Sequence, residues 1–272
     1  MTKSYIEKLP SKNLEDAVAI RDWLLVNNTN FMAYLLIRRF NSCCEWAINS
    51  QLIPDNPFSK LRLKKPRRKS TDDDYKAFTE QQRDIIIEAF ENHNLYSHYA
   101  PLIKFLFFTG CRLGEAFALT WGDINSDCTR IKITKSRNQR LILKGTKNGK
   151  KRVFPCGVGS KLQQLLLSIR PDSYTATQLI FTTPKGKLLS SQILNTVWNQ
   201  INGRSLGVVR ELEIAGKVPY LRPYAARHTF ATLALAKGVK AIELAKWMGD
   251  EVDTVHKYYS HASIIETECP DI

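Results

Sequence analysis

The stretch Tyr220–His261, YLRPYAARHTFATLALAKGVKAIELAKWMGDEVDTVHKYYSH, decides how the whole chain is read. Pro223 stands where a helix can start, because its fixed φ suits the first turn and its missing N–H is an orphan there anyway. Tyr224 and Arg227 follow, three apart, so they share one helix face. Ala226, Phe230 and Leu233 lie on another face that a core can take. Gly238 stops this helix. A second short helix, Ala241 to Met248, ends at Gly249, and a third begins near Asp253 and carries Tyr258, Tyr259 and His261. An arginine fixed on one helix and a tyrosine on a helix after a glycine break suit phosphoryl chemistry. A guanidinium grips a pair of phosphate oxygens in a planar fork and keeps its charge. A tyrosine hydroxyl can attack the phosphorus.

Upstream, Thr109-Gly110-Cys111-Arg112-Leu113-Gly114-Glu115 follows an apolar run predicted as a buried helix from about Tyr99 to Phe108. An arginine just past a glycine turn at a helix start sets its own charge beside helix amides. Glu115, three residues on, can hold Arg112 in place. Strands are expected at Ile131–Ile133, Leu141–Leu143, Arg152–Phe154 and Leu179–Thr182. Between the second and third of these, Gly145-Thr146-Lys147-Asn148-Gly149-Lys150 contains Asn-Gly, a hairpin-turn signal. The two glycines are one residue too close for a nucleotide loop, and no Ser or Thr follows Lys150. Further helices are expected at Ser160–Ile169 and Ser191–Ile201, with a loop over Asn202–Pro219. Thr79 with Gln82 forms a capping box for a helix that ends near Asn92.

The amino-terminal part reads as two helices. Asn13 caps the first, through Val18, Ile20, Trp23 and Leu24. The second runs from about Asn30 to Ser50, with Leu35, Leu36, Phe40, Cys43, Trp46 and Ala47 at helical spacing. A breaker-rich turn at Leu52–Phe58 and a basic linker, Lys60–Thr71, close this part. Asp72, Asp73 and Asp74 read as a solvated acidic stretch rather than a metal site.

Across 272 residues the chain has 40 Lys+Arg against 26 Asp+Glu, a net charge of +14. That excess favours a polyanionic partner, nucleic acid first and an anionic membrane surface second. The start has no apolar core of a signal peptide, and the longest apolar run is too short to span a bilayer and contains Lys104. A cytoplasmic protein is expected. The six cysteines make no Cys-x-x-Cys pair, so reduced thiols are expected rather than a zinc ribbon.

The two arginine-bearing stretches resemble those of the tyrosine recombinases, the phage-integrase family. Their second box and nucleophile, His-x-x-Arg-His, Leu-Gly-His and Tyr-x-His, correspond here to Tyr224-Ala-Ala-Arg227-His228, Met248-Gly249-Asp250 and Tyr259-Ser260-His261. Their first box, Thr-Gly-x-Arg-x-x-Glu, is matched by Thr109–Glu115 without a departure. The segment ending at Phe58 resembles the end of their DNA-clasping domain. The resemblance implies a mixed fold: a small, shortened all-α clamp over 1–70, and an α+β catalytic domain over 71–272, mostly helical with a small antiparallel sheet. It implies cleavage and rejoining of double-stranded DNA through a 3′-phosphotyrosyl intermediate, without metal, ATP or any cofactor, by a homo-tetramer assembled on DNA.

Residue by residue, the resemblance gives Arg112 and Arg227 the phosphate charge, Glu115 the support of Arg112, and Tyr259 the attack, with Tyr258 as rival. Lys147 is the general acid, with Lys150 second. Lys64, Lys65, Arg67, Arg68 and Lys150 are expected at DNA phosphates. Tyr224 stands in a histidine slot, as in some integrase branches including cyanobacterial ones, and its hydroxyl can still donate to phosphate. Asp250 stands in the other slot, where an ionised carboxylate only accepts, so it is expected to turn away, capping the next helix or holding an arginine. His228, His256 and His261 are expected to be structural. The alternatives are a type IB topoisomerase-like relaxase, a degenerate member that binds DNA without cutting, and a basic nucleic-acid-binding domain with no site.

Overall fold

Helix signals at both ends of the first unit are used as the sequence suggests. The Asn13 side chain accepts from Glu15 N and opens a 3₁₀ turn, Leu14–Asp16, that leads into α1 (Ala17–Asn27). Thr29 caps α2 (Asn30–Asn49) by accepting from Met32 N. Ile20 and Leu24 of α1 meet Ala33, Leu36 and Ile37 of α2, with Cys44 and Phe58 closing the cluster. Phe40 stacks on Phe58. Trp46, although at helical spacing with this core, points to solvent, as does Cys43. This computed structural model describes residues 7–61, 63–66, 76–146, 149–201 and 205–259, and the chain divides into two units, Met1–Thr71 and Asp72–Ile272.

In the second unit the Thr79–Gln82 capping box opens α3 (Glu80–Glu91), with both reciprocal bonds made. Its centre is α4 (Ala100–Thr109), apolar on nearly every face and buried at Leu102, Ile103, Phe105, Leu106 and Phe107. Around α4 pack α3, α6 (Lys161–Ile169) and α9 (Ala225–Ala236). Trp198, on α7 (Ser191–Asn199), fills the core and donates its indole N–H to Leu221 O at 2.8 Å. A separate cluster of Ala231, Leu244, Ala245, Met248, Val255 and Tyr259 joins α9 to α10 (Ala241–Met248) and α11 (Val252–Tyr259). The unit is mostly helical with a small antiparallel sheet, and no described helix is long and apolar enough to cross a membrane.

The sheet departs from the expected hairpin. β1 (Arg130–Ile133) pairs with β4 (Arg152–Pro155), and β2 (Lys135–Arg137) pairs with β3 (Leu143–Gly145), both antiparallel. Ile133 faces Arg152 while Lys135 faces Gly145, so the pairing is nested: β3 sits on β2 and β4 on β1. The expected second and third strands, β3 and β4, are thus not paired with each other, and Lys147 and Asn148 of the expected turn lie outside the described residues. The turn that closes the ladder is held by Asn138, which accepts from Arg140 N and Ile142 N, and Leu141 adopts φ 62° there. That turn moves the expected Leu141–Leu143 strand two residues along. Polar Lys135-Ser136-Arg137 gave no alternation to read. Leu179 makes only an isolated bridge to Thr120. The expected loop Asn202–Pro219 contains α8 (Val208–Ile214), which buries Val208, Val209 and Leu212 behind Gly207. Its flanking glycines masked a helix of two turns.

Gly110 ends α4 in the left-handed region, φ 58°, where a side chain is strained. A Cβ there would also lie 2.4 Å from Phe230 Cδ1 on α9. Gly110→Ala is expected to destabilise by about 2–4 kcal/mol from backbone strain and overpacking together. For a unit of this size that lowers the thermal midpoint by roughly 5–15 °C. A midpoint within 2 °C of the parent, by calorimetry, would show that α9 does not need this close approach.

Candidate active site

Two glycine-ended helices set the site. α4 ends at Gly110, and the chain turns through Cys111 to Arg112, which precedes the short helix α5 (Leu113–Ala116). Gly114 lets α5 lie against the ladder, since a Cβ there would meet Arg137 O at 2.3 Å. α10 ends at Gly249, φ 67°. Helix C-termini leave carbonyls without intrahelical partners and carry partial negative charge. At α10 these carbonyls are taken by arginines. Trp247 O accepts from Arg152 Nε at 2.7 Å, Met248 O from Arg227 Nη2 at 3.1 Å, and Gly249 O from Arg112 Nη2 at 3.1 Å. Arg227 Nη1 also donates to Gly110 O at 2.6 Å, tying the two helix ends together.

Arg227 is buried at 2 % exposure, with Asp250 as its counter-charge. Burial pushes its pKa down, but the Asp250 charge outweighs this and leaves the guanidinium more firmly protonated. The Asp250 carboxylate is shared: Oδ2 accepts from Arg227 Nη2 at 2.5 Å, and Oδ1 accepts from Arg112 Nη2. Asp250 thus holds two arginines. It does not turn away from the pair, and its carboxylate is spent on them rather than on capping α11. One anion with two oxygens, one oxygen per guanidinium, occupies the space between Arg112 and Arg227. Arg227 Nε is buried and has no hydrogen-bond partner among the described residues.

Glu115, 2 % exposed, holds Arg112 as the sequence suggests: Arg112 Nη1 donates to Oε1 at 3.2 Å and Arg112 N to Oε2 at 3.0 Å. A third arginine, missed in the sequence, shares it. Arg152 Nη1 donates to Oε1 at 3.1 Å and Nη2 to Oε2 at 2.6 Å. Burial pushes the Glu115 carboxyl up, but the Arg152 hydrogen bonds and charge, with Arg112, outweigh it and hold it below the usual carboxylate range. Arg152 reads in sequence as an alternating strand residue. Its partners lie far along the chain, and no local signal announces them.

Tyr259 ends α11, 5 % exposed, within the Ala231–Met248–Val255 cluster. Burial pushes its hydroxyl pKa up to about 12. Arg227 pulls it down, while Tyr224 and Asp250 push it up. His228 packs against it, ring centroids 5.4 Å apart, and Tyr224 meets His228 edge-on. Tyr224 itself is 44 % exposed at the start of α9. Tyr258 is partly buried against the same cluster, with Lys257 over its ring. Lys150 is exposed and pairs with Glu251. Lys64 and Lys65 are exposed residues of the first unit. Lys147, Arg67, Arg68, Asp72–Asp74 and His261 lie outside the described residues. Arg112, Glu115, Arg227, Asp250 and Tyr259 are therefore brought together, with Tyr224 at the margin.

The profile of the phage integrase family matches residues 76–264, well over half of the chain. The chain belongs to the phage integrase family. This integrase-family chain is 24% identical over 297 residues to a tyrosine recombinase XerC of Pediococcus pentosaceus, covering 96% of this chain and 89% of that one. It is 27% identical over 171 residues to a tyrosine recombinase XerD of Bifidobacterium longum, which spans 61% of this chain and 51% of the relative. In fold it is similar to the Tn1549 transposon integrase solved with a circular intermediate DNA, at a TM-score of 0.67 and 18% identity over 95% of this chain and 86% of that one. Family and relatives together make the chain a site-specific recombinase of the tyrosine class.

Proposed function

We propose that this recombinase binds double-stranded DNA and cleaves and rejoins it through Tyr259. One observation carries the reading: Arg112 and Arg227 converge on a single two-oxygen anion beside a buried tyrosine hydroxyl. A phosphodiester presents the same pattern, two nonbridging oxygens and one negative charge. It would also meet the unpartnered Arg227 Nε–H, a buried donor whose loss of partner costs about 1–3 kcal/mol. In this mechanism the Tyr259 oxygen attacks the phosphorus and the bond to the 5′-oxygen breaks. The hydroxyl proton leaves to solvent, and the 5′-oxygen receives one from Lys147, the general acid. The 3′-phosphotyrosyl bond then keeps the energy for attack by the 5′-hydroxyl of another strand, whose proton returns to Lys147 while the leaving Tyr259 oxygen takes one back from solvent. The two guanidiniums stabilise the charge of the five-coordinate phosphorus.

The reading includes a helical clamp in the first unit, phosphate contacts by Lys64, Lys65, Arg67, Arg68 and Lys150, and assembly of four copies on DNA. A second reading has its own support. Asp250 fills the space between the arginines, as expected of a member that binds DNA without cutting it. The two separate on a pool of nicked duplexes with randomised sequence, in which cleavage releases a short fragment and strands the protein on its phosphotyrosine. Covalent capture, followed by sequencing of the trapped duplex, is the expected result. DNA retained only by salt-sensitive binding, with no covalent product from any duplex, would select the second reading.

A further inference from the structure

Arg152 opens β4, opposite Ile133 of β1. Its guanidinium is almost fully buried and every one of its nitrogens is engaged: Nη1 and Nη2 on the two oxygens of Glu115, Nε on Trp247 O. The fork therefore joins two things that must stay in register. Glu115 is the carboxylate that holds Arg112 by side chain and backbone at once. Trp247 O opens the run of three carbonyls on which Arg227 and Arg112 also hang. Gly249 confirms how tightly the fork is seated, since a Cβ there would lie 2.6 Å from Arg152 Nη1.

We propose that Arg152 is a positioning residue for strand cleavage, holding Glu115 and the Trp247–Asp250 turn so that Arg112 meets the phosphate. This rests on the proposed cleavage of a phosphodiester. Its fork is turned onto Glu115 and its Nε onto Trp247 O, so it acts through Arg112 and not on the phosphate. Without it, Glu115 keeps one charged partner in a buried place, and its carboxyl shifts toward the neutral form that holds Arg112 less well. A lysine keeps the charge but lacks the fork that reaches both Glu115 oxygens and Trp247 O together.

The test uses the full chain on the duplex recovered by covalent capture, made with either a natural phosphate or an uncharged methylphosphonate at the cleaved position. The methylphosphonate needs less arginine charge, so a variant with a misplaced Arg112 should recover on it. Arg152→Gln is expected to slow covalent trapping at least a hundredfold on phosphate, with duplex affinity within about threefold of the parent. The deficit should shrink below tenfold on methylphosphonate, as for Arg112→Ala, and the double variant should trap no more than threefold slower than Arg112→Ala. Arg152→Lys, the milder change should Arg152→Gln fail to fold, is expected to lose about tenfold with the same selectivity. Equal losses on the two substrates, or losses that multiply in the double variant, would overturn the proposal and leave Arg152 a stabilising residue only. Absence of trapping by the parent would instead sink the cleavage reading. Inorganic phosphate then decides the role: the parent's thermal midpoint should rise with phosphate and that of Arg152→Gln should not, whereas an equal rise in both overturns it.

Discussion

Tyr259→Phe is expected to bind DNA like the parent and to form no covalent adduct, whereas Tyr258→Phe still forms it. The removed atom is the oxygen that attacks in the proposed reaction, and the ring that stays keeps its place among Ala231, Met248 and Val255, so folding should be spared. The hydroxyl sits beside Arg227, whose charge favours the phenolate against burial. Tyr258 shares the cluster and has Lys257 over its ring. Gel separation of the protein–DNA adduct under denaturing conditions, with peptide mapping of the linked residue, reads the result. An adduct on Tyr258, or one that persists in Tyr259→Phe, would move the nucleophile.

Asp250→Asn is expected to move stability and activity in opposite directions. The carboxylate is a counter-charge for two guanidiniums, one of them almost wholly buried. Removing one partner of a buried pair costs about 3–5 kcal/mol, so the thermal midpoint should fall by roughly 10 °C. Activity should rise. Two unit charges about 4 Å apart interact by about 4 kcal/mol at an effective dielectric of 20, so a carboxylate between the arginines strongly opposes an arriving phosphate. A tenfold rate change is only about 1.4 kcal/mol. Asp250→Asn should therefore raise the trapping rate at subsaturating DNA at least tenfold, and Asp250→His, which can donate to phosphate, should match or exceed it. Asp250 also pushes the Tyr259 pKa up. Its neutralisation lowers that pKa, so at any pH below it more of Tyr259 is phenolate, and the rise of rate with pH begins at lower pH. If both variants, still folded, lose a hundredfold or more, about 2.7 kcal/mol, the carboxylate is needed to set the arginines in working geometry and is not a competitor.

What could be read in advance follows the range of the interactions. The helix ends at Gly110 and Gly249, the Thr79 capping box and the Arg112–Glu115 spacing are local, and each appears where the sequence places it. Arg152 could not be seen, because its role lies in contacts to Glu115 and Trp247 that only the tertiary fold creates. For Asp250 the expectation left open a cap on the next helix or a hold on an arginine; the fold takes the second and sets two arginines around it, which no local spacing announces. The nested ladder was hidden for a similar reason. β2 is polar on both faces, so only its pairing with β3 identifies it as a strand. α8 is short and bracketed by glycines, and it is revealed by what it buries.

The last turn of α10 has a mechanical consequence. Three neighbouring carbonyls, on Trp247, Met248 and Gly249, each anchor a different arginine, and these arginines come from a strand, a helix and a loop. A displacement of that one helix end is felt by Arg112, Arg152 and Arg227 in the same instant. Each arginine also has an anchor elsewhere, Glu115 for Arg112 and Arg152 and Gly110 O for Arg227, so the helix end couples three side chains that are already seated. Whatever grips α10 from outside then has a lever on all three guanidiniums without touching any of them.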